Sequence, residues 1–185
     1  MKRTITIILI LIISAAVAFC WVAIDTALTK KTHPLEYRET VEMYAKEYSV
    51  PKELIYAVIK AESKFKSDVV SKAGAIGLMQ ITPDTFTWLC TKNQDSDNSV
   101  DRLYNPETNI KYGVFYLDML YSEFGSWETA LAAYNAGPSN VRDWLKNSEL
   151  SKDGVITHIP FKETREYVEK VMTAKATYSE IYSGN

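Results

Sequence analysis

Two kinds of hydrophobic pattern divide the chain. From Ile5 to Ile24 the residues are almost all apolar, and only Thr6 and Ser14 interrupt the run. An apolar run of about twenty residues is long enough to cross a bilayer as one helix. From about Pro34 onward, apolar residues recur at helical spacing, and no alternation of apolar and polar residues is long enough to indicate a strand. The pattern therefore predicts a mainly α domain after one N-terminal transmembrane helix.

Prolines, glycines and capping residues predict where the helices of the domain begin and end. Proline is tolerated in a first helical turn, Ser126 can cap a helix, and Gly137 followed by Pro138 can end one. The polar stretch from Cys90 to Leu103 is interpreted as a surface connection. The predicted helices are Tyr37 to Tyr48, one opened by Pro51, one beginning near Pro83, one from Asn105-Pro106 to Gly125 with Ile110, Val114, Leu117 and Leu120 on one face, one from Trp127 to Asn135, and one from Lys162 towards Tyr178.

The N-terminal segment predicts export of the rest of the chain. Lys2 and Arg3 precede the apolar run, so the N-terminus should stay inside and the residues after Asp25 should lie outside. A cleaved signal peptide is the alternative, because Ala16-Val17-Ala18 supplies small residues at a cleavage site. The anchor is favoured, since the apolar run continues to Ile24.

A lipoprotein is disfavoured, because the bulky Phe19 precedes Cys20. Residues 1–31 are expected to be the anchor and a short tether, and residues 35–180 the soluble domain. The tether, from Asp25 to Pro34, would span at most about 35 Å when extended. The expected localisation is the cell membrane, with a single pass and an extracytoplasmic domain.

Charge and cysteine content narrow the function classes. The net charge is −2, and because the first 31 residues carry +3, the remainder carries −5. An acidic domain argues against a nucleic-acid surface, which needs a basic patch. Cys20 and Cys90 cannot form a disulfide framework, and with only His33 and His158 added no metal-ligand spacing is present. No metal is expected.

Glu62 is the most informative single residue. Ile55, Val58, Ile59 and Glu62 are spaced i, i+3, i+4 and i+7, so they lie on one face of a helix. This spacing places a carboxylate on an apolar stripe, where desolvation raises its pKa towards the value that a general acid needs. The competing interpretation is a glutamate at a helix end whose carboxylate reaches water.

Three further segments contain residues that could line a ligand site. In Gly74 to Gln80, two glycines three residues apart allow backbone conformations that suit close approach to a ligand, although the segment could be only a loop. Ala133 to Gly137 places a phenol and a carboxamide at a helix end, and helix capping alone explains its glycine. Ile159 to Val168 opens the last helix with charged residues around Tyr167, which is also typical of a solvated helix face.

Taken in this order, the segments closely resemble the lytic transglycosylase family whose catalytic domain is soluble-lytic-transglycosylase-like and similar to goose-type lysozyme. The resemblance covers roughly Tyr37 to Tyr178. The segments that carry it are Glu62-Ser63-Lys64-Phe65, Ser71 to Gln80, Asn105-Pro106 and Asn109-Ile110 with Gly113, Tyr116 and Leu117, Ala133 to Gly137, and Glu163 to Val168.

The resemblance implies a compact lysozyme-like helical fold with a groove for its substrate, the glycan strands of peptidoglycan. It implies no metal or organic cofactor, and residues 35–180 would form the catalytic domain. Glu62 is the position that matches the catalytic acid/base, and Tyr134, Asn135 and Tyr167 would contact substrate or orient Glu62. The matched substrate-binding positions are Ser63, Ser71, Gly77, Leu78, Met79, Gln80, Tyr134, Asn135 and Tyr167.

The resemblance also implies a reaction, in which the bond between N-acetylmuramic acid and N-acetylglucosamine is cleaved and a 1,6-anhydro ring closes without water. A hydrolytic muramidase on the same fold and a non-catalytic envelope protein that binds glycan are the alternatives. Asp68 is the nearest carboxylate in sequence that a two-carboxylate hydrolase could use, and it is interpreted as an exposed loop residue.

Overall fold

The computed structural model describes residues 2–182 of the chain, with side chains from Ile12 onward. Most of these residues are helical, which confirms the predicted mainly α class. The elements are α1 (Lys2–Thr32), α2 (Arg38–Glu47), α3 (Lys52–Glu62), α4 (Pro83–Lys92), a short 3-10 helix (Val100–Tyr104), α5 (Pro106–Phe124), α6 (Trp127–Ala136), α7 (Pro138–Lys146), β1 (Ser151–Lys152), β2 (Val155–Ile156) and α8 (Lys162–Tyr182).

Local capping chemistry sets the starts of α4 and α5. The side chain of Asn105 accepts a hydrogen bond from the Thr108 amide at 3.0 Å, directly before Pro106 opens α5. Thr82 caps α4 in the same way, accepting from the Thr85 amide at 3.2 Å. Each contact satisfies an amide that the first turn of a helix leaves without a partner. The predicted starts near Pro83 and at Pro106 are therefore confirmed.

The hydrophobic core lies among α3, α5, α6 and α8. Helix α3 packs along α8, and α6 contacts both α5 and α8. Residues 54–59 of α3 are at most 2% exposed. This packing holds the C-terminal end of α3 firmly in place. The four apolar residues predicted on one face of α5 are also buried: Ile110, Val114, Leu117 and Leu120.

Several elements differ from the sequence interpretation. The stretch predicted as a surface connection contains two buried residues, because Cys90 belongs to α4 and Leu103 lies in the 3-10 helix. Pro138 does not only end α6, since it also occupies the first turn of α7. An antiparallel hairpin pairs Ser151 with Ile156, although no strand was expected. Strands of two residues are too short to give an alternating pattern.

Helix α1 extends beyond the apolar run. Its part from Ile12 to Thr32 is long and apolar enough to cross a membrane, a property that a signal sequence shares. Most of the tether predicted from Asp25 to Pro34 is helical, because α1 continues through Thr32, so the tether is not extended to its maximum reach. The junction then contacts α8, where Tyr182 donates a hydrogen bond to the His33 carbonyl at 2.8 Å and Tyr178 donates one to the Pro34 carbonyl at 3.1 Å.

Candidate active site

Glu62 is the last residue of α3. The apolar residues on its face of the helix, Ile55, Val58 and Ile59, are fully buried, while Glu62 itself is partly exposed. The next residue, Ser63, is buried, and its hydroxyl donates a hydrogen bond to the Ile59 carbonyl at 3.1 Å. The carboxyl group of Glu62 therefore lies at the boundary between the core and the surface, on the buried face of α3 that the spacing predicts and at the helix end that the competing interpretation expects.

The surroundings of Glu62 favour its protonated form. Burial raises the pKa of this carboxyl from 4.5 to about 7, while the Tyr167 hydroxyl and the Lys170 ammonium act in the opposite direction. The Tyr167 hydroxyl is close enough to influence the carboxyl, yet it is buried without a hydrogen bond of ordinary geometry. Burial and the charge of Glu62 in turn raise the pKa of both Tyr134 and Tyr167. Near neutral pH, Glu62 can thus both hold and release a proton.

Replacing Glu62 by Gln should stabilise the protein at alkaline pH. A raised carboxyl pKa means that ionisation destabilises the folded state, starting near pH 4.5 and reaching its full extent above about pH 7. Gln keeps the shape and removes the charge, so we expect a gain of roughly 2–3 kcal/mol in the free energy of unfolding at pH 8 and little change at pH 4. Urea unfolding of both purified chains at the two pH values measures this difference. Equal stabilities at pH 8 would show that Glu62 is not desolvated.

The 76–81 loop is tightly turned and largely buried. Ile76 pairs with Ile81 in an isolated antiparallel bridge. Gly77 has a φ of +80°, and an added Cβ would overlap Asn109 and lie 2.7 Å from the Leu103 carbonyl. Only glycine fits this position without strain. The loop predicted as a ligand contact therefore has a backbone fixed by its surroundings.

Asn109 holds this loop through its buried side chain. It was not predicted as a site residue. Its side chain is fully buried, and its Oδ1 accepts a hydrogen bond from the Met79 amide at 2.7 Å. Its Nδ2 donates to the Ile76 carbonyl at 2.9 Å and to the Leu103 carbonyl at 2.8 Å. One carboxamide thus ties α5, the loop and the 3-10 helix together.

The other predicted residues of this segment differ in their access to solvent. The side chains of Leu78 and Met79 are fully buried, so they pack into the core rather than into open space. Ser71 is partly buried, and its hydroxyl accepts a hydrogen bond from the Ala75 amide at 3.0 Å. Gln80 is also partly buried, and its Nε2 donates to the Val69 and Gly77 carbonyls, at 3.1 and 2.9 Å. Each of the hydrogen-bonding side chains fixes a turn.

The C-terminal end of α6 connects the loop with α8. The Tyr134 hydroxyl donates a hydrogen bond to the Met79 carbonyl at 2.7 Å. The neighbouring Asn135 is exposed, and its Oδ1 accepts a hydrogen bond from the Thr164 hydroxyl at 2.7 Å. The predicted residues from four separate segments, including Glu62 and Tyr167, therefore meet in one region of the molecule.

A groove of about 270 Å³ lies in this region. It is lined by Gln80, Tyr134 and Asn135, whereas Glu62 and Tyr167 are not among its lining residues. Tyr116 also lines the groove, and its ring packs against that of Tyr134 at a centroid distance of 5.2 Å. Sequence reasoning did not predict Tyr116 as a site residue, because nothing local separates it from the core residues of α5. The remaining lining residues are Ile81, Thr82, Thr85, Ala136, Gly137 and Pro138.

Comparison with known sequences places this region in a described domain. Residues 39–156 match the family model of the Transglycosylase SLT domain, a range that includes Glu62, the 76–81 loop and Tyr134 but not Tyr167. The chain is 40% identical over 149 residues to the soluble lytic murein transglycosylase of Escherichia coli K12, covering 78% of this chain and 23% of that protein. It is 34% identical over 169 residues to the membrane-bound lytic murein transglycosylase C of Actinobacillus pleuropneumoniae serotype 5b, covering 79% and 46%.

Solved structures agree with the sequence comparison. An inactive mutant of the lytic transglycosylase Slt from Pseudomonas aeruginosa superposes with a TM-score of 0.72 at 37% identity, covering 80% of this chain and 24% of that one. The 70 kDa soluble lytic transglycosylase of Escherichia coli gives a TM-score of 0.74 at 36% identity, covering 82% and 25%. This chain spans about a quarter of the length of these soluble relatives. The expected lysozyme-like helical fold is confirmed, and the chain belongs to the Transglycosylase SLT domain family.

Proposed function

We propose that this protein is a peptidoglycan lytic transglycosylase that uses Glu62 as its single acid/base. The observation that carries the proposal is the burial of Glu62, which raises the pKa of its carboxyl to about 7. Among the residues that the structure describes, no second carboxylate contributes to that pKa. Asp68, the carboxylate that a conventional hydrolase could use, is exposed. One desolvated carboxyl beside a groove suits a reaction in which the same group first gives and then takes a proton.

The proposed reaction has two proton transfers. Protonated Glu62 donates its proton to the oxygen of the bond between N-acetylmuramic acid and N-acetylglucosamine, and that bond breaks. The N-acetyl carbonyl of the substrate stabilises the positive charge that develops at the anomeric carbon. The Glu62 carboxylate then accepts the proton of the muramoyl C6 hydroxyl, whose oxygen bonds to the anomeric carbon. The product carries a 1,6-anhydro ring, and Glu62 is protonated again.

Tyr167 is positioned to stabilise the ionised form of Glu62 during this cycle. Its hydroxyl is buried without a hydrogen bond of ordinary geometry, although it lies close enough to Glu62 to shift the pKa of the carboxyl. A buried hydroxyl without a partner is costly unless a partner forms during function. We infer that Tyr167 donates its hydrogen bond to Glu62 when the carboxyl loses its proton. The hydroxyl would thereby stabilise the charged intermediate form of the enzyme more than its resting form.

The relatives support this proposal. Their names describe lytic murein transglycosylases, both soluble and membrane-bound. The similar structure from Pseudomonas aeruginosa is an inactive mutant in which a glutamate is replaced by glutamine. Another similar structure is a complex of the 70-kDa soluble lytic transglycosylase with bulgecin A, with a TM-score of 0.76 and 35% identity. Binding of bulgecin A by this chain is therefore a useful secondary test of the groove.

We further propose that α1 is retained as a single-pass membrane anchor that leaves the domain outside the cytoplasm. Its apolar part, Ile12–Thr32, has the length of a membrane span. The chain also resembles a membrane-bound member of the family. Continuity of α1 through Thr32 and its contacts with α8 would keep the domain close to the membrane surface. Edman sequencing of the membrane-fraction protein tests this, because a cleaved signal would yield a new N-terminus after Ala18.

Mass spectrometry of the products tests the proposed reaction. The purified chain is incubated with peptidoglycan, and the molecular masses of the released muropeptides are determined. Products one water lighter than their hydrolytic equivalents are expected. Products with a reducing muramic acid end would instead identify a hydrolytic muramidase on the same fold. Absence of any released product would favour a protein that only binds the cell wall.

Removing the charge of Lys170 should move the pH profile of activity. The Lys170 ammonium donates a hydrogen bond to the Ala61 carbonyl at 2.9 Å and lowers the pKa of Glu62. In Lys170→Met the acid therefore stays protonated to a higher pH, and the alkaline limb of kcat/KM should move to higher pH. High salt should shrink the difference, because Lys170 is exposed and its charge is screened. Lys175→Met on the same helix is the matched control, and an equal shift in both variants would contradict this role of Lys170.

A further inference from the structure

An exposed indole extends a row of aromatic rings that begins beside Glu62. Trp88 lies on α4, and 42% of its surface is exposed. Its ring meets the ring of Tyr116 edge-on at a centroid distance of 6.1 Å, and Tyr116 in turn meets Tyr134 at 5.2 Å. Tyr134 is a residue whose hydroxyl pKa is raised by burial and by the charge of Glu62. The row thus leads from the candidate catalytic carboxyl to the protein surface.

The helix geometry places Trp88 on the same side of α4 as the groove. Thr85 lines the groove, and Trp88 follows it by three residues, which brings the two side chains to one face of the helix. One turn later, the Lys92 ammonium lies over one face of the Trp88 ring, 5.7 Å from its centroid, so a sugar ring would stack on the other face. The buried face of α4 is formed by other residues, namely Phe86, Leu89 and Cys90. Trp88 therefore lies outside the core, next to the groove-lining residue Tyr116.

The chemistry of this surface matches a sugar ring. One face of a pyranose ring presents C–H groups, while hydroxyl and acetamido groups surround its edge. A large flat indole buries such an apolar face, and a nearby ammonium can donate hydrogen bonds to the polar edge. Trp88 and Lys92 offer this combination next to Tyr116, which lines the groove together with Tyr134 and Asn135.

We propose that Trp88 forms an additional sugar-binding subsite, on which one ring of the glycan strand stacks at a distance from the bond that is cleaved. The proposal rests on the proposed function, since it takes peptidoglycan glycan as the substrate. The stacked ring lies outside the reacting pair of sugars. Trp88 therefore strengthens the binding of long strands and leaves the chemical step on a disaccharide unchanged.

Binding measurements without turnover test this subsite. Each chain carries Glu62→Gln, and isothermal titration calorimetry measures the Kd for an N-acetylglucosamine hexasaccharide and disaccharide. We expect Trp88→Ala to weaken hexasaccharide binding about tenfold and to leave disaccharide binding unchanged. Trp88→Phe should restore much of the loss, because a smaller ring still stacks. Tyr121→Ala is the matched control, since Tyr121 is also an exposed aromatic residue, but its ring stacks on Trp127, which does not line the groove.

Two results would overturn the subsite. One is an unchanged Kd for the hexasaccharide in Trp88→Ala. The other is equal weakening for both oligosaccharides together with a lower Tm, which would show that Trp88 only supports the fold through Tyr116. Failure of the proposed function has a different signature, because a chain that is not a glycan enzyme would bind neither oligosaccharide even with Trp88 present.

Discussion

Replacing Glu62 by Gln should reduce the release of muropeptides from peptidoglycan by roughly 10³-fold or more, towards the upper end of the range for general acid/base groups. Gln keeps the shape of the side chain but can neither donate a carboxylic proton nor accept the proton of the C6 hydroxyl. Both proposed proton transfers are therefore lost with one substitution. Initial rates of muropeptide release measure the loss, and binding of glycan should persist because the groove residues are unchanged.

Asp68→Asn is the matched control for this prediction. It makes the same chemical change at an exposed carboxylate six positions along the chain, and it should keep wild-type activity. Loss of activity in Asp68→Asn together with an active Glu62→Gln would show that the chemistry depends on Asp68 and not on Glu62. Loss in both variants would instead favour a two-carboxylate hydrolase.

The second large effect is expected on stability, from Asn109→Ala. The substitution removes three hydrogen bonds and takes the side-chain partner from the Met79 amide and the Leu103 carbonyl, while the Ile76 carbonyl keeps its bond from the Ile81 amide. Buried polar groups without partners are costly, so we expect the free energy of unfolding to fall by roughly 3 kcal/mol or more. Urea unfolding of the purified chain measures this loss. Activity should fall with it, because the 76–81 loop loses its anchor.

Asn140→Ala tests whether the expected loss is specific to the buried position. Asn140 is exposed, and its Nδ2 donates one hydrogen bond to the Ala136 carbonyl at 2.7 Å. A single exposed hydrogen bond contributes little, so this variant should differ from wild type by less than about 0.5 kcal/mol. Equal losses in the two variants would show that Asn109 does not hold the loop.

Helix boundaries were predictable where the deciding chemistry is local. The Asn105 cap and Pro106 act within one turn, so the start of α5 could be predicted from the sequence. Gly137 and Pro138 were ambiguous, because the same pair can end one helix and open the next. Burial of Val141 and Trp144 decides for a second helix, and that burial depends on packing against distant elements. The conformation of the tether could not be predicted for a related reason, since contacts with α8 stabilise the junction after α1.

The candidate site was predictable only in part. The helical spacing of Glu62 with Ile55 and Ile59 placed its carboxyl on an apolar face without any knowledge of the fold. Asn109 could not be predicted as an anchor, because its three hydrogen-bond partners come from two separate segments. Tyr116 and Trp88 were missed for the same reason, since their position along the groove depends on how α4 and α5 pack.

Measuring whether water is incorporated into the product is the most direct test of the proposed transglycosylase reaction at Glu62. Peptidoglycan is digested by the purified chain in water enriched in heavy oxygen, and the muramic acid ends of the products are analysed by mass spectrometry. Closure of the 1,6-anhydro ring by the C6 hydroxyl predicts products without the heavy isotope and one water lighter than hydrolytic ones. Incorporation of one heavy oxygen at the muramic acid end would show that water attacks, and it would contradict a transglycosylase mechanism.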